Sequence, residues 1–379
     1  MPELRIEQVA GRAGLRRFLE MPAHLYADDP NWVPPLILER LQHLDPGRNP
    51  FLRGIDIAWF LAFRDDRCVG RISAQTNAKH LERYADATGH FGFIEGENDP
   101  EVFAALVGAA EAWLRQRGMR RMAGPFNPSI NDECGLLVEG FDKPPSMMMG
   151  HARPWYGPRL EEQGLAKARD LICYDFDVAA DLPPAANRII ERLGRNPDLR
   201  VRPLDMRRYE EEIRTVCAIF NDAWAGNWGF IPFGEDEARY LAKAIRPIVD
   251  ANYFAIGEYR GEPASMVVTL PNINEAIADL GGRLLPFGWA KLLWRLKVRG
   301  VESGRMPLMG VRREHQGTAR GAALALGVIA RVRDYHRARG RRRAELSWVL
   351  EDNEPMHQMI RLVGAHAYKT YRLYQKELA

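Results

Sequence analysis

Two kinds of hydrophobic spacing alternate along this chain, and the alternation occurs twice. Residues 58–74 (AWFLAFRDDRCVGRISA) read as strand, polar turn, strand, and residues 253–270 (YFAIGEYRGEPASMVVTL) read the same way with Gly261 at the turn. A strand-like stretch follows each, Gly92–Glu95 in one half and Met306–Val311 in the other. Then comes a long helical pattern, Glu101–Gly118 against Ala322–Gly340, and after it a short strand, Ala344–Leu350 in the second half. Residues 156–177 (YGPRLEEQGLAKARDLICYDFD) and 356–377 (MHQMIRLVGAHAYKTYRLYQKE) match at an offset of 200. Leu160 meets Ile360, Gly164 meets Gly364, Leu171 meets Tyr371 and Tyr174 meets Tyr374. Each copy reads as a helix, a glycine that ends it, then a strand. Two copies of one α/β unit are therefore expected. The boundary falls in Ala179–Leu204, which holds Pro183-Pro184 and Asn196-Pro197, giving domains 1–180 and 181–379.

Composition narrows the classes. The 379 residues are 46% apolar and 27% charged, enough to pack a core and too apolar for wholesale disorder. Lys plus Arg minus Asp plus Glu is 53 − 50 = +3, too balanced for a general nucleic-acid binder. No apolar run approaches the roughly 20 residues of a membrane span, and Met1–Glu7 lacks the apolar stretch of a secretory leader. A cytoplasmic protein is expected. Cys68, Cys134, Cys173 and Cys217 form no CxxC pair, and no metal site is expected from them. Cys134, in a polar loop, reads as a small buried thiol or as a nucleophile.

The chemistry concentrates in Val311–Ala322 (VRREHQGTARGA), where a strand runs through a small-residue turn directly into a long apolar helix. Gly and Ala let backbone approach a ligand, and the free N–H groups of the helix start attract a phosphate. The stretch resembles the pyrophosphate loop of the GNAT acyltransferases, Gln/Arg-x-x-Gly-x-Gly/Ala, with Gln316, Ala319 and Gly321 in register and Ala in place of the middle Gly. Asn353-x-x-Met356 and Gly364 resemble a later segment of that family. The resemblance implies α/β architecture, two tandem GNAT-like domains with mixed central sheets flanked by helices. It implies acyl-CoA as cosubstrate and no permanently bound cofactor. Val311 and Arg313 would align the pantetheine, and Gln316, Gly317, Thr318, Ala319, Arg320, Gly321 and Asn353 would complete the coenzyme site. In the first half the equivalent turn carries Glu95, Glu97 and Asp99, which repel a pyrophosphate, so that half reads as a degenerate copy. Many family members use a Tyr seven residues after the Asn to protonate the departing thiolate; 353 + 7 is Ile360 here. His357, Tyr368 and Tyr371 lie near in sequence.

Acyl transfer to an amine needs a proton acceptor. Glu345 alternates with apolar neighbours on its strand and reads either as a desolvated base or as a strand-end acid facing water. Gly118 to Gly164 spans 46 residues and Gly340 to Gly364 only 24, so the first half carries about 22 extra residues within an inserted loop, 124–156. That loop offers Asp132, Glu133 and His151 for the same proton, beside a Met147–Met149 stripe. It forms either a cleft or a self-satisfied Ω-loop. Asn227–Phe233 reads as acyl-chain contact or core plug. Residues 283–299 (RLLPFGWAKLLWRLKVR) carry five basic residues and no acids. A single helix there would set Lys291, Arg295 and Arg299 opposite Leu285, Trp289, Leu292, Leu293 and Leu296. It would lie on an anionic leaflet, making the protein peripheral at the inner membrane, or dock on its own sheet with snorkelling cations. The basic run Arg337–Arg343 is a second leaflet candidate or a solvated helix end.

FNPSINDECG, MGHARPWY and ELSWVLEDNEPM resemble the bacterial ceramide synthase-like proteins, tandem GNAT chains. That resemblance implies N-acylation of an amphipathic amine, a long-chain sphingoid base, by a fatty acyl-CoA, with no nucleic-acid partner. Rival readings are an acetyltransferase for a small amine, a transferase drawing aminoacyl groups from tRNA, and a non-catalytic acyl-CoA or lipid binder.

Overall fold

A computed structural model describes residues 3–378. Along the chain, β1 (Leu4–Val9) precedes a hairpin of β2 (Ile55–Arg64) and β3 (Arg67–Asn77). Then come β4 (Thr88–Gly96), α1 (Pro100–Arg115), β5 (Arg121–Gly124), a small hairpin of β6 (Phe126–Asn127) and β7 (Glu133–Cys134), β8 (Leu136–Glu139) and β9 (Ala166–Asp177). The second half opens with β10 (Leu199–Arg202) and α2 (Tyr209–Ala223), then a hairpin of β11 (Phe254–Tyr259) and β12 (Glu262–Pro271). It continues through α3 (Gly288–Trp294), β13 (Ser303–Val311), α4 (Ala319–Ala338), β14 (Arg343–Leu350), α5 (Glu354–Leu362) and β15 (His366–Glu377). The repeat is exact in phase at its end: β9 and β15 begin at 166 and 366 and run to 177 and 377. Gly164 and Gly364 sit before them at φ +78° and +88°, a left-handed step that frees the chain from the preceding helix.

The chain divides into two compact units. The first holds residues 1–171, 277–289 and 369–379; the second holds 172–276 and 290–368. A single cut after residue 180 differs from this division, because β9 and β15 each give residues to both units and a short internal segment returns to the first.

Within the first unit the strand order is β1-β2-β3-β4-β5, then the end of β15, with β8 also on β15. β1 with β2, β2 with β3, β3 with β4, and β15 with β5 and β8 pair antiparallel, while β4 with β5 is parallel. Within the second unit the order is β10-β11-β12-β13-β14, then the end of β9, and β13 with β14 is the parallel pair. α4 covers β11, β12 and β13, with Leu324, Leu326 and Val328 wholly buried. Each such side chain contributes about 1.5–3 kcal/mol of burial.

The single helix expected over 283–299 is not formed. α3 has only seven residues, followed by one π turn, Arg295–Arg299. Pro286 and Gly288 stand where its first turn was expected.

Candidate active site

In the second unit the parallel pair comes apart. β13 and β14 are in register from Ser303–Arg343 to Met306–Leu346, and beyond that point Pro307–Val311 and Ser347–Leu350 no longer pair with each other. A cavity of about 620 Å³ opens between the separated ends. Its walls come from β13, the turn to α4, the first turns of α4, β14 and α5.

The turn is built for close approach. Gly317 holds φ +69°, which side chains resist. A Cβ on Gly321 would stand 2.0 Å from the His315 carbonyl oxygen, so nothing larger than hydrogen fits. Thr318 caps the helix, its hydroxyl accepting from the Gly321 amide at 3.0 Å and donating to His315 O at 2.7 Å. Among the described residues the amides of Gly317, Ala319 and Arg320 have no acceptor. Three N–H groups at the positive end of a 20-residue helix are thus left to a ligand. Ala319, Ala322 and Ala325, three apart on α4, keep that wall low.

Of the nine residues expected at the coenzyme, Val311, Gln316, Gly317, Thr318, Ala319, Gly321 and Asn353 line the cavity. Two do not. The backbone N–H of Arg313 donates to Asp222 at 2.8 Å and its guanidinium follows at 3.3 Å. The Arg320 guanidinium lies 4.1 Å over the Tyr259 ring. Gln316 braces the turn, its side-chain amide donating to Val311 O at 2.8 Å. Asn353 caps α5 by accepting from the Met356 amide at 3.3 Å.

The far wall is apolar. Met306, Met309, Met356, Met359, Ile360 and Leu362 line it, and Ile360 is fully buried where a tyrosine would carry a hydroxyl. Trp224 and Trp348 meet edge to face at 5.8 Å, and Trp224 donates to Met309 O at 2.9 Å. The Asn227–Phe233 segment divides its work. Asn227 lines the cavity, while Phe230 and Ile231 are buried and Phe233 stacks on Phe220 at 4.6 Å.

Ser347 is the hydroxyl-bearing residue on the β14 wall, and nothing local in the sequence marks it. Its hydroxyl accepts from Arg305 Nε at 2.9 Å and donates to Glu345 Oε1 at 2.5 Å. Tyr368 donates to the other Glu345 oxygen. Arg305, Glu345 and Ser347 are all nearly inaccessible. Glu345 therefore does not face water, and it stands behind Ser347 rather than on the cavity wall. Burial and the Glu345 charge push the Tyr368 phenol well above its ordinary range. His357 is likewise behind the wall, 2.6 Å from the Tyr174 hydroxyl.

The remaining candidates lie in the first unit and none lines the cavity. Asp132 is held between His43 at 3.0 Å and the Ser129 hydroxyl at 2.6 Å. Glu133 pairs with Arg40 at 3.5 Å. His151 is 2.9 Å from Asp29, and burial lowers its pKa from the ordinary histidine value. Arg153 donates to Leu25 O at 3.0 Å, and Tyr371 donates to Gly150 O at 2.9 Å. The loop is thus tied down by hydrogen bonds within its own unit.

The first unit's own parallel pair also separates, after His90–Ala123, but the gap is filled. The inserted loop lays Phe126 there so closely that a Cβ on Gly92 would be 1.9 Å from Phe126 O. Asn127 Oδ1 accepts from the Phe93 amide at 2.6 Å, and the Gln75 amide donates to Phe126 O and Pro128 O, both at 2.9 Å. The start of α1 is capped by Asp99, which also binds Arg64. A carboxylate sits where the second unit leaves free amides.

No family model matches the chain. A protein named bacterial ceramide synthase, from Caulobacter vibrioides (strain NA1000 / CB15N), is 50% identical over 379 residues, 99% of this chain and 98% of that one. Protein YghO of Escherichia coli (strain K12) is 45% identical over 369 residues, 96% and 93% of the two chains. Among solved structures, a tandem GNAT protein from the clavulanic acid biosynthesis pathway superposes with a TM-score of 0.58 at 13% identity, covering 100% of this chain and 99% of that one. A GCN5-related N-acetyltransferase from Sphaerobacter thermophilus gives 0.54 at 14%, covering 99% and 96%. These two show the tandem GNAT fold.

Proposed function

The chain belongs to the bacterial ceramide synthase family, and from that premise we propose that its second unit transfers a long acyl group from acyl-CoA to the amine of a sphingoid-type base. One observation carries the reading: the parted ends of β13 and β14 enclose a cavity with free amides at one side and an apolar wall at the other. An acyl-CoA has the same polarity. Its diphosphate takes the amides of Gly317, Ala319 and Arg320, and its thioester lies along the gap between the strands. Its chain runs against the methionines and Ile360, a flexible lining that accepts an unbranched tail. Asp99 and the filled gap leave the first unit without an equivalent place, so one coenzyme site per chain is expected.

The amine attacks the thioester carbonyl; the N–C bond forms, the C–S bond breaks, and the electron pair leaves on sulfur. The ammonium proton passes to Ser347 Oγ as the Ser347 proton passes to Glu345 Oε1. Tyr368 holds the carboxylate in place for that transfer, and Arg305 holds the Ser347 hydroxyl. Holding amine and thioester together supplies much of the acceleration, since a thioester is already reactive. The thiolate leaves without a tyrosine at position 360, which suits a leaving group of low basicity. Three of the chain's four cysteines are buried, which agrees with thiols kept in a reducing cytoplasm.

The test is thiol release with palmitoyl-CoA and a sphingoid base, with the amide product identified by mass spectrometry. Preference for acetyl-CoA and a small amine would replace the long-chain reading. Acyl-CoA binding with no thiol release from any amine would mark a sensor, the reading that Ile360 favours.

A further inference from the structure

Eight large apolar side chains stand exposed on the described surface, and six of them fall within fourteen consecutive residues, Leu285–Val298. Phe287, Leu285 and Val298 are 77%, 75% and 72% accessible, and Trp289, Leu293 and Trp294 about half. Water disfavours such a concentration, so it marks a place where something else covers the chain. The segment is also fixed from within. Leu292 and Leu296 are half-buried on its inner side, and Arg295 donates to Ala276 O at 2.7 Å. Trp289 donates to Pro286 O at 3.1 Å, which holds the turn before α3. The exposed set is thus the outer side of an anchored segment. The expected division into one apolar and one basic face does not hold, because apolar residues occupy both sides.

The charge pattern selects the occupant. Arg283, Lys291, Arg295, Lys297 and Arg299 lie in this segment, and no acid occurs between Asp279 and Glu302. A second copy of the chain would bring five basic residues against five more, which repels. Two tryptophans and a phenylalanine among basic residues suit the headgroup boundary of an anionic bilayer, where rings sit between acyl chains and water. No helix among the described residues is long and apolar enough to cross. We infer that residues 283–299 dock the protein on an anionic lipid surface, with Leu285, Phe287, Trp289, Leu293, Trp294 and Val298 entering the headgroup layer. The inference stands on exposure and charge and is independent of the acyl-transfer reading. Within the basic run Arg337–Arg343, Arg337 pairs with Asp181 and Arg343 with Asp175.

The full chain, without substrates, is sedimented with phosphatidylcholine vesicles with and without phosphatidylglycerol. The anionic vesicles should carry the protein down, less so at high salt. A W289S/W294S double variant should lose the binding, and K297E/R299E should weaken it roughly tenfold or more. M206S, which removes an exposed apolar side chain elsewhere, should bind as the parent does. Unchanged melting temperatures establish that the variants fold. The inference is overturned if the parent ignores anionic vesicles, or if both double variants bind like the parent. It is also overturned if light scattering shows a parent dimer that the tryptophan variant converts to monomer. Thiol release measured on the same preparations with a soluble short-chain amine tests the acyl-transfer reading separately.

Discussion

At the scale of single residues, the proposed reaction turns on two atoms. The hydrogen on Gly321 is the first: a side chain there must displace the His315 carbonyl, and a carboxylate adds charge where the proposed reading sets a diphosphate. Gly321→Glu should abolish acyl-CoA binding in calorimetry, while Gly321→Ala, with a clash but no charge, should lose it in part. The Ser347 hydroxyl is the second. Ser347→Ala should lower kcat by about 10²-fold with acyl-CoA affinity retained. Glu345→Gln should shift the pH–rate profile of the parent. A purely structural role for the pair would lower the melting temperature and leave the profile in place. Ser347 was not legible in the sequence because its significance comes from where β13 and β14 part, and a parting is a relation between strands far apart in the chain. The glycine-rich turn was legible because its chemistry is local: small residues, a capping threonine and a helix start are consecutive.

At the scale of elements, local periodicity foretold β2–β3, β11–β12, α1, α4 and the matching ends of β9 and β15, because each rests on spacings within one stretch. It did not foretell how the inserted loop is used. Its Asn, Ser, Asp and Glu residues look like reagents in one dimension. Folded, they cap and brace: Asn127 satisfies the Phe93 amide, and Ser129 and His43 satisfy Asp132. Asn127→Ala should leave that amide unpaired and cost about 1–3 kcal/mol, read as a lower melting temperature. Acyl-CoA affinity should not change. α3 misled for a related reason. Spacing alone could not tell an inner apolar side from an outer one, since leucines and tryptophans occur on both.

At the scale of the whole molecule, two buried histidines tie stability to pH. Burial depresses His90 to about 3, with His80 nearby adding to the effect. Burial depresses His336 to about 4, with Arg341 and Arg339 adding. The unfolded chain protonates both near pH 6.5, before the folded one does. It therefore binds more protons throughout the interval from about 6.5 down to about 4, and stability must fall as pH falls through it. Up to about 1.4 kcal/mol per pH unit per histidine is at stake, so the melting temperature should drop between pH 6.5 and pH 5. His90→Gln and His336→Gln should flatten that slope.

The traffic of strands between units bears on birth as well as on the finished state. β5 and β8 of the first unit find their partner in residues 370–377. A ribosome delivers that partner only after about 230–250 further residues, some 12–50 s at ordinary elongation rates. Until then the nascent first unit carries an unclosed edge, the kind of surface that chaperones shield. Slowing translation late in the message should lengthen that exposure and raise the aggregated fraction.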